Sequence, residues 1–566
     1  MLNRSHKLWL SILPLAISWP LGCSSGGGSS DGGATGKGGG AAAGTAGAAA
    51  GTAGSAAGTT GSAGQAGTSG GGSAGTTGAS AASVLQHHND LARDGLYVDA
   101  ALTKTAAAGM NIDASFAGAM VTGNVYAQPL YLAGANGQPD EVIVATERDN
   151  VYAFNAATGA QLWTKSVGTS VSSGLPCGNI SPLGVTGTPV IDGPNRIIYL
   201  DAMTTDATVT AKHMVHALNA DTGAEVGGWP VDVNATASSG GTAFSSLVQN
   251  QRAALGLVGG KVFIPYSGHV GDCQGYHGWL VGVTTGATPS VSAWATRAIA
   301  GGIWGASGIA SDGTSIFVAT GNSKSSASAG PNSSSGDNGG SWGDGETVYK
   351  FPLSLAAPAM ATTTDYFVPS NWVNLDDSDA DIGGTAPVLV DVPGATPSSL
   401  IVALGKDDNA YLLNRSNLGG MDATPLAKMK VSTGAIINAF VAYTTATATY
   451  VVFKGAGSGC PSGQSGGLTA IKIAAASPPT MSIAWCGGPA TSYSPAVSQT
   501  DGSGSNTIVW AVGSDNKLHG LDGDTGTSVF AGEATAMSAV QSIQTPIVAN
   551  GRIFVASNSQ VYAFKP

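Results

Sequence analysis

Charge is scarce in this chain. Asp, Glu, Lys and Arg make up 10% of the 566 residues, 34 acidic against 23 basic, for a formal net charge of -11. No basic stripe appears anywhere, which argues against a phosphate-binding surface and excludes nucleic acid as a partner. Only five cysteines are present. No metal-ligand spacing and no Ser/His/Asp arrangement stands out from a background so rich in Ser and Gly. The apolar run from Leu8 to Leu21 is too short to span a bilayer. With 85 glycines and so few charges, the composition is unlike that of a helical enzyme and suits short strands joined by many turns.

What the chain does have is a repeat. Val151-Tyr152-Ala153-Phe154-Asn155-Ala156-Ala157-Thr158-Gly159-Ala160-Gln161-Leu162-Trp163 reads as strand, tight turn, strand. The β-branched and aromatic residues suit a half-buried strand, and Gly159 can take positive φ in the turn. Related copies centre on Val215–Asn219, Leu280–Val283, Val348–Phe351, Ala410–Asn414, Leu468–Ile471, Leu518–Asp522 and Val561–Phe564. That spacing, roughly 40–65 residues, signals a propeller or a solenoid. Each unit adds an earlier apolar strand and a first short strand, often around a proline (Pro129, Pro189, Pro387, Pro495, Pro546), and many end on an aromatic such as Trp163, Trp229 or Trp485. Four antiparallel strands make a propeller blade. The fold expected is all-β, an eight-bladed propeller with seven blades as the alternative count, over about residues 110–566.

The last unit stops after its third strand. A spare strand, Phe116 to Val121, stands before the first full repeat, and pairing it with Val561–Phe564 would close the ring and remove two free edges. Residues 84–121 also hold Gln86-His87-His88-Asn89-Asp90-Leu91-Ala92-Arg93-Asp94-Gly95, a polar, turn-rich stretch.

Upstream, Met1 to Cys23 reads as an export signal, and its end, Pro20-Leu21-Gly22-Cys23, resembles a bacterial lipoprotein cleavage box in which Cys23 is lipidated. Residues 24–83 are almost wholly Gly, Ala, Ser and Thr, with nothing large to bury. They are expected to act as a flexible tether with a reach of roughly 40–45 Å. The division expected is thus 1–23 signal, 24–83 tether and 84–566 propeller, lipid-anchored to the outer membrane or cell surface. The four remaining cysteines allow three pairings; their positions in the repeats favour Cys177–Cys273 and Cys460–Cys486.

The motif Ala153-Phe154-Asn155 through Thr158-Gly159 to Trp163 resembles the repeat of the quinoprotein-like propellers, the pyrroloquinoline quinone (PQQ) repeat family. His88-Asn89-Asp90, Asn250-Gln251-Arg252, Tyr276-His277-Gly278-Trp279, Gly302-Ile303-Trp304, Ala319-Thr320-Gly321-Asn322 and Asp379-Ala380-Asp381 are similar to stretches of one secreted bacterial subgroup. The resemblance implies the fold and leaves function open, because the same blade serves alcohol dehydrogenases and a non-catalytic scaffold of outer-membrane assembly. The adjacent cysteine pair of many family dehydrogenases and the Cys-x-x-Cys-His of haem-bearing relatives are missing here. The family's set of calcium and quinone ligands has no matching positions.

A ligand site, if present, belongs at the mouth of the central channel, where first strands converge: Gln128, Thr188, Asn250, Arg252, Trp304, Asn438, Tyr493 and Gln544. Of these, Arg252 with Trp304 is the pair suited to something planar or anionic. Asp376, Asp379 and Asp381 form a weak Ca²⁺ candidate, without the glycine and terminal glutamate of an EF-hand loop. His277 beside Trp279 is more readily a histidine satisfying loop carbonyls. The expected function is an exported, membrane-tethered binding or scaffolding module of the cell envelope, monomeric, with an envelope protein or a small ligand as partner. The alternative is a dehydrogenase using PQQ with Ca²⁺ to oxidise alcohols or sugars.

Overall fold

The computed structural model describes residues 83–206, 208, 210–324 and 341–566. The export segment with Cys23, and the tether up to residue 82, lie outside the described residues. Blade one shows the pattern that the others repeat. Its strands Leu130–Leu132, Glu141–Ala145, Asn150–Asn155 and Gln161–Ser166 pair in sequence order, all antiparallel. The second and third strands are apolar on both faces because neighbouring blades cover both sides, and Val142, Ile143, Val144, Ala153 and Phe154 are all buried. Burying side chains of this size stabilises by roughly 1.5–3 kcal/mol each.

Seven further sheets follow in chain order, with innermost strands Val190–Asp192, Gly256–Val258, Ala310–Ser311, Val388–Asp391, Val441–Thr444, Ala496–Gln499 and Ile547–Ala549. The count is eight blades, not seven. Most apolar clusters sit between consecutive blades, as where Val151 and Ala153 of blade one join Leu200 and Leu218 of blade two. Pro129, Pro189, Pro387, Pro495 and Pro546 each stand immediately before the first strand rather than inside it. There a missing N–H removes no ladder bond.

Ring closure is achieved, but by a different segment from the one expected. Phe116 to Val121 does not form a strand. Asn111–Ile112 pairs with Lys565 and Phe564 as the outermost strand of blade eight. Residues 117–121 instead run along the junction with blade one: the Ala117 N–H donates to Thr158 O at 3.1 Å, and Met120 bridges to Gln560. Asn111 is exposed and Ile112 half-buried, so the pair carries too little apolar signal to be recognised as a strand.

The stretch 84–99 does something the sequence did not announce. It threads the channel and bonds to the inner edge of every blade. Val84 pairs with Tyr131 of blade one, and Leu85 O accepts Ile191 N–H of blade two. Arg93 donates to Leu255 O of blade three at 2.8 Å. The carbonyls of Leu91, Ala92, Asp94 and Gly95 accept the N–H groups of Ser311, Leu389, Ala442 and Val497 in blades four to seven. Leu96–Val98 then runs parallel to Val497, Ser498 and Gln499, and the Asp99 carboxylate accepts Gly551 N–H of blade eight. The inner edges, which a propeller otherwise leaves unpaired, are satisfied in part by this one segment, most fully at blade seven.

Candidate functional site

First strands begin, and second strands finish, at the same end of the ring, because the two run antiparallel. Residues just before a first strand therefore meet residues just after a second. Arg252 precedes Gly256–Val258, Trp304 precedes Ala310–Ser311 and Asp381 precedes Val388–Asp391. Asn322 follows Ser315–Ala319, and Lys406 follows Ser399–Leu404. These five residues, with His269, Asp272, Tyr276 and Asp379, line a cavity of about 260 Å³. That is close to the lower limit of about 300 Å³ usual for small-molecule sites, so only a small ligand fits. Val270 and Ile437 form an exposed apolar rim.

The Trp304 ring is the fixed element. Its indole N–H donates to Asp381 Oδ2 at 2.9 Å. A side chain at Gly321 would meet that same oxygen at 2.6 Å and Trp304 Nε1 at 2.9 Å, so the pair requires glycine there. Two cations lie against the ring, Lys406 Nζ at 5.1 Å and the Arg252 guanidinium carbon at 5.8 Å from its centroid. Their situations differ. Lys406 is paired to Asp379 at 2.6 Å and Asp381 at 3.3 Å, which hold its ammonium above the usual range although burial opposes this. Among the described residues Arg252 has no carboxylate in salt-bridge range; it donates to Gly268 O at 3.0 Å, and its Nε is buried without a hydrogen-bond partner there. Burial lowers its pKa. A guanidinium left in this way presents a planar donor fork to an anion.

On the acidic side, burial raises the Asp381 carboxyl, with Lys406 pulling the other way. Its Oδ1 is buried and unpartnered. Glu346 lies behind it, holds Ile382 N–H at 2.7 Å, and is pushed well up by burial and by the Asp381 and Asp376 charges. One wall, residues 270–276, is pinned by the Cys177–Cys273 disulfide, and Tyr276 donates to Asp272 at 2.7 Å. The second disulfide, Cys460–Cys486, lies within blade six. Both pairings are those favoured by the sequence.

Of the eight residues expected at the channel mouth, the structure brings Arg252 and Trp304 together in the cavity. Asn250 is buried in a short ladder against Ser267, its Oδ1 without a partner. The others bind the ring to itself and to the threading segment. Gln128 accepts His88 N–H at 3.1 Å and donates its own N–H to Thr188 Oγ1 at 2.9 Å. Gln544 donates to Val125 O and Ala127 O, Asn438 to Ser494 Oγ at 3.2 Å, and Tyr493 N–H to Val512 O. Asp376, Asp379 and Asp381 do not form a single cage. Asp376 sits in the helix Trp372–Ser378 and accepts Ser323 N–H, Asp379 is the left-handed residue that ends the helix, and Asp381 faces Trp304. Among the described residues no group of three or more His, Cys, Asp or Glu is placed to hold a metal ion. His277 Nδ1 lies 2.8 Å from Thr296 O, the structural role expected of it. Lys406 and Asp272 carry no sequence signal of their own: each stands in a turn-rich stretch after a second strand, and only the ring brings it to the cavity beside the residues that enter the first strands.

Residues 128–270 match the PQQ_2 family model, described as outer membrane protein assembly factor BamB. No curated protein matches the chain. Among solved structures the chain resembles a quinohemoprotein alcohol dehydrogenase from Pseudomonas putida HK5, at 11% identity and a TM-score of 0.56, covering 86% of this chain and 80% of that one. It also resembles the quinohemoprotein alcohol dehydrogenase of Comamonas testosteroni, at 14% identity and TM-score 0.56, covering 85% and 80%. A europium-containing methanol dehydrogenase aligns at 12% identity and TM-score 0.56, covering 84% and 89%. At these identities the likeness is one of fold.

Proposed function

We propose that this propeller is a binding module of the cell envelope whose channel-mouth cavity takes a small, planar, anionic molecule. The observation that carries this is Arg252, a half-buried cation without a paired carboxylate among the described residues, held beside the face of Trp304. An aromatic face offers a plane to stack on, and the guanidinium fork matches a carboxylate. The envelope setting is supported by the match of residues 128–270 to a model named for outer membrane protein assembly. It rests further on the export signal and tether read in the sequence. No helix among the described residues is long and apolar enough to cross a membrane.

A second reading, a quinoprotein dehydrogenase, is favoured by Asp381, whose unpartnered carboxylate oxygen is buried beside the cavity. PQQ, a planar ring system bearing carboxylates, fits the donor set on one side: Arg252 and Lys406 would hold its carboxylates and Trp304 its plane. When bound, it would supply two-electron oxidation. Asp381 would then be placed to accept a proton from a substrate hydroxyl. Among the described residues no group of three or more His, Cys, Asp or Glu is placed to cage a divalent ion beside it.

Full-length protein titrated with PQQ, followed by tryptophan fluorescence, tests the first reading. Saturable quenching that is lost in Arg252→Ala and Trp304→Ala is expected. No quenching up to high micromolar quinone would overturn it. Dye reduction with alcohols or sugars by the loaded protein separates the dehydrogenase from the binding module.

A further inference from the structure

A second polar site lies between blades one and two, away from the cavity. The turn Thr146-Glu147-Arg148-Asp149 joins the second and third strands of blade one. Acidic residues in such turns ordinarily face water. Here Arg148 faces solvent while Glu147 and Asp149, on either side of it, point inward and are 1% and 0% exposed. Asp149 manages this with a left-handed backbone, φ 55. Glu147 Oε2 accepts Gly184 N–H at 2.7 Å. Its Oε1 and both carboxylate oxygens of Asp149 are buried without hydrogen-bond partners, and the hydroxyl of Thr186, itself 2% exposed, faces the Glu147 carboxylate. Gly184 brings these groups close. A Cβ there would lie 2.5 Å from Asp149 Oδ1 and 2.7 Å from the Glu147 carbonyl oxygen.

Two buried carboxylates with no cation to offset them are strongly disfavoured. No ion pair among the described residues involves either. Burial pushes Glu147 up to about 7 against the opposing hydrogen bonds from Gly184 and Thr186; burial, with the charges of Glu147 and Asp201, pushes Asp149 up to about 8. Asp201, engaged by His213 at 2.7 Å and Tyr266 at 2.8 Å, adds to the negative charge facing Asp149 rather than offsetting it. The one basic residue of the turn, Arg148, is turned away.

We propose that Glu147, Asp149 and the Thr186 hydroxyl hold a hard divalent cation of the Ca²⁺ type, which pins the blade-one turn to the entry of blade two. Every donor is an oxygen, which selects such ions over zinc or copper, and two carboxylates match the charge of one divalent ion. The site is independent of the channel-mouth cavity and needs no quinone.

The test is calorimetric titration of EDTA-treated full-length protein with CaCl2 at neutral pH, alongside thermal melts. One calcium per chain and a rise in Tm of a few degrees are expected. The Glu147→Gln/Asp149→Asn variant keeps the shape and removes the charge. It should lose the calcium heat and melt in calcium-free buffer no lower than the parent. Thr186→Val should weaken binding without abolishing it. Asp379→Asn/Asp381→Asn should bind calcium as the parent does. No calcium heat in the parent, binding retained by the Glu147/Asp149 variant, or binding lost in the Asp379/Asp381 variant would each overturn the site.

Discussion

Trp163 of blade one lies on Gly223 of blade two. The Trp163 indole N–H donates to Ala220 O at 2.7 Å, and a Cβ at Gly223 would sit 2.6 Å from the ring. Trp485 of blade six repeats the arrangement on blade seven, with Gly523 O as acceptor at 2.9 Å and Gly526 beneath the ring. Trp229 of blade two donates to Gly286 O of blade three. At the first two of these junctions the Thr-Gly of the turn and the tryptophan of the fourth strand recur together because one blade's tryptophan is seated on the next blade's glycine, whereas Gly286 only accepts the bond from Trp229 and has no ring beneath it. Gly223 is doubly constrained, since its φ of +69 also disfavours any side chain. Gly223→Ala should destabilise by about 2–4 kcal/mol, backbone strain and overpacking together. Trp163→Phe should cost about 1 kcal/mol from the lost bond to Ala220. Denaturant melts measure both, and a neutral Gly223→Ala would refute the seat.

That seat explains how much of the fold the sequence displayed. A repeat whose turn and aromatic must fit each other leaves both visible at fixed spacing, so strand order and blade number were legible. Cysteine pairing was legible for the same reason, since each residue could be placed within a blade. What escaped notice works without apolar periodicity. Residues 84–99 act through backbone bonds and through Arg93, so they look like a polar loop. Asn111–Ile112 is too short to show alternation. At the cavity, Arg252 and Trp304 stood out as residue types, while Lys406 looked like one charge in a turn until the ring brought it to Trp304.

The closing contact of the ring should make the protein acid-labile. Asp113, buried at the seam, takes Arg552 Nε at 2.8 Å and pairs with Lys565 at 2.7 Å, joining the N-terminal segment to the last two strands. Burial opposes its ionisation, but the Lys565, Ser115 and Arg552 donors outweigh that and hold the carboxyl far below the usual range. A carboxyl depressed in the folded state contributes stability above its unfolded pKa of about 3.9 and loses it as pH falls below that value. Tm should therefore drop more steeply below about pH 4 in the parent than in Asp113→Asn. At neutral pH the variant should be less stable by on the order of 1 kcal/mol, since Lys565 is solvated. Parallel melts across pH decide this; identical acid profiles would reject it.

The two disulfides should separate stability from binding. Cys177–Cys273 spans 96 residues and Cys460–Cys486 spans 26. On the chain-entropy argument these are worth about 4–5 and about 3–4 kcal/mol. Only the first ties down a wall of the cavity, residues 270–276. Cys177→Ser/Cys273→Ser should lower Tm and weaken quinone binding, whereas Cys460→Ser/Cys486→Ser should lower Tm and leave binding alone. Equal binding in both would show that the wall does not depend on its tether.

The threading segment should prove as important to stability as a blade, and Arg93 is the residue that shows it. Arg93 is fully buried, and it is held by carbonyls rather than by a carboxylate side chain. Its guanidinium donates to Ile309 O at 2.6 Å, His87 O at 2.6 Å and Leu255 O at 2.8 Å, so one side chain joins blades three and four to the segment itself. Burial lowers its pKa to about 10, still high enough for the group to remain charged at neutral pH. Lysine cannot present the same fork, and alanine leaves three buried carbonyls without a donor. Arg93→Ala should cost about 3–5 kcal/mol and Arg93→Lys somewhat less. Arg148→Ala, on the exposed side of its turn, should stay within about 0.5 kcal/mol of the parent. The same variants separate a structural role from one at the cavity: Arg93→Lys, measured well below its Tm, should bind quinone with unchanged affinity. If Arg93→Ala melts like the parent, the segment does not bind the blades together, and the channel is closed by the blades alone.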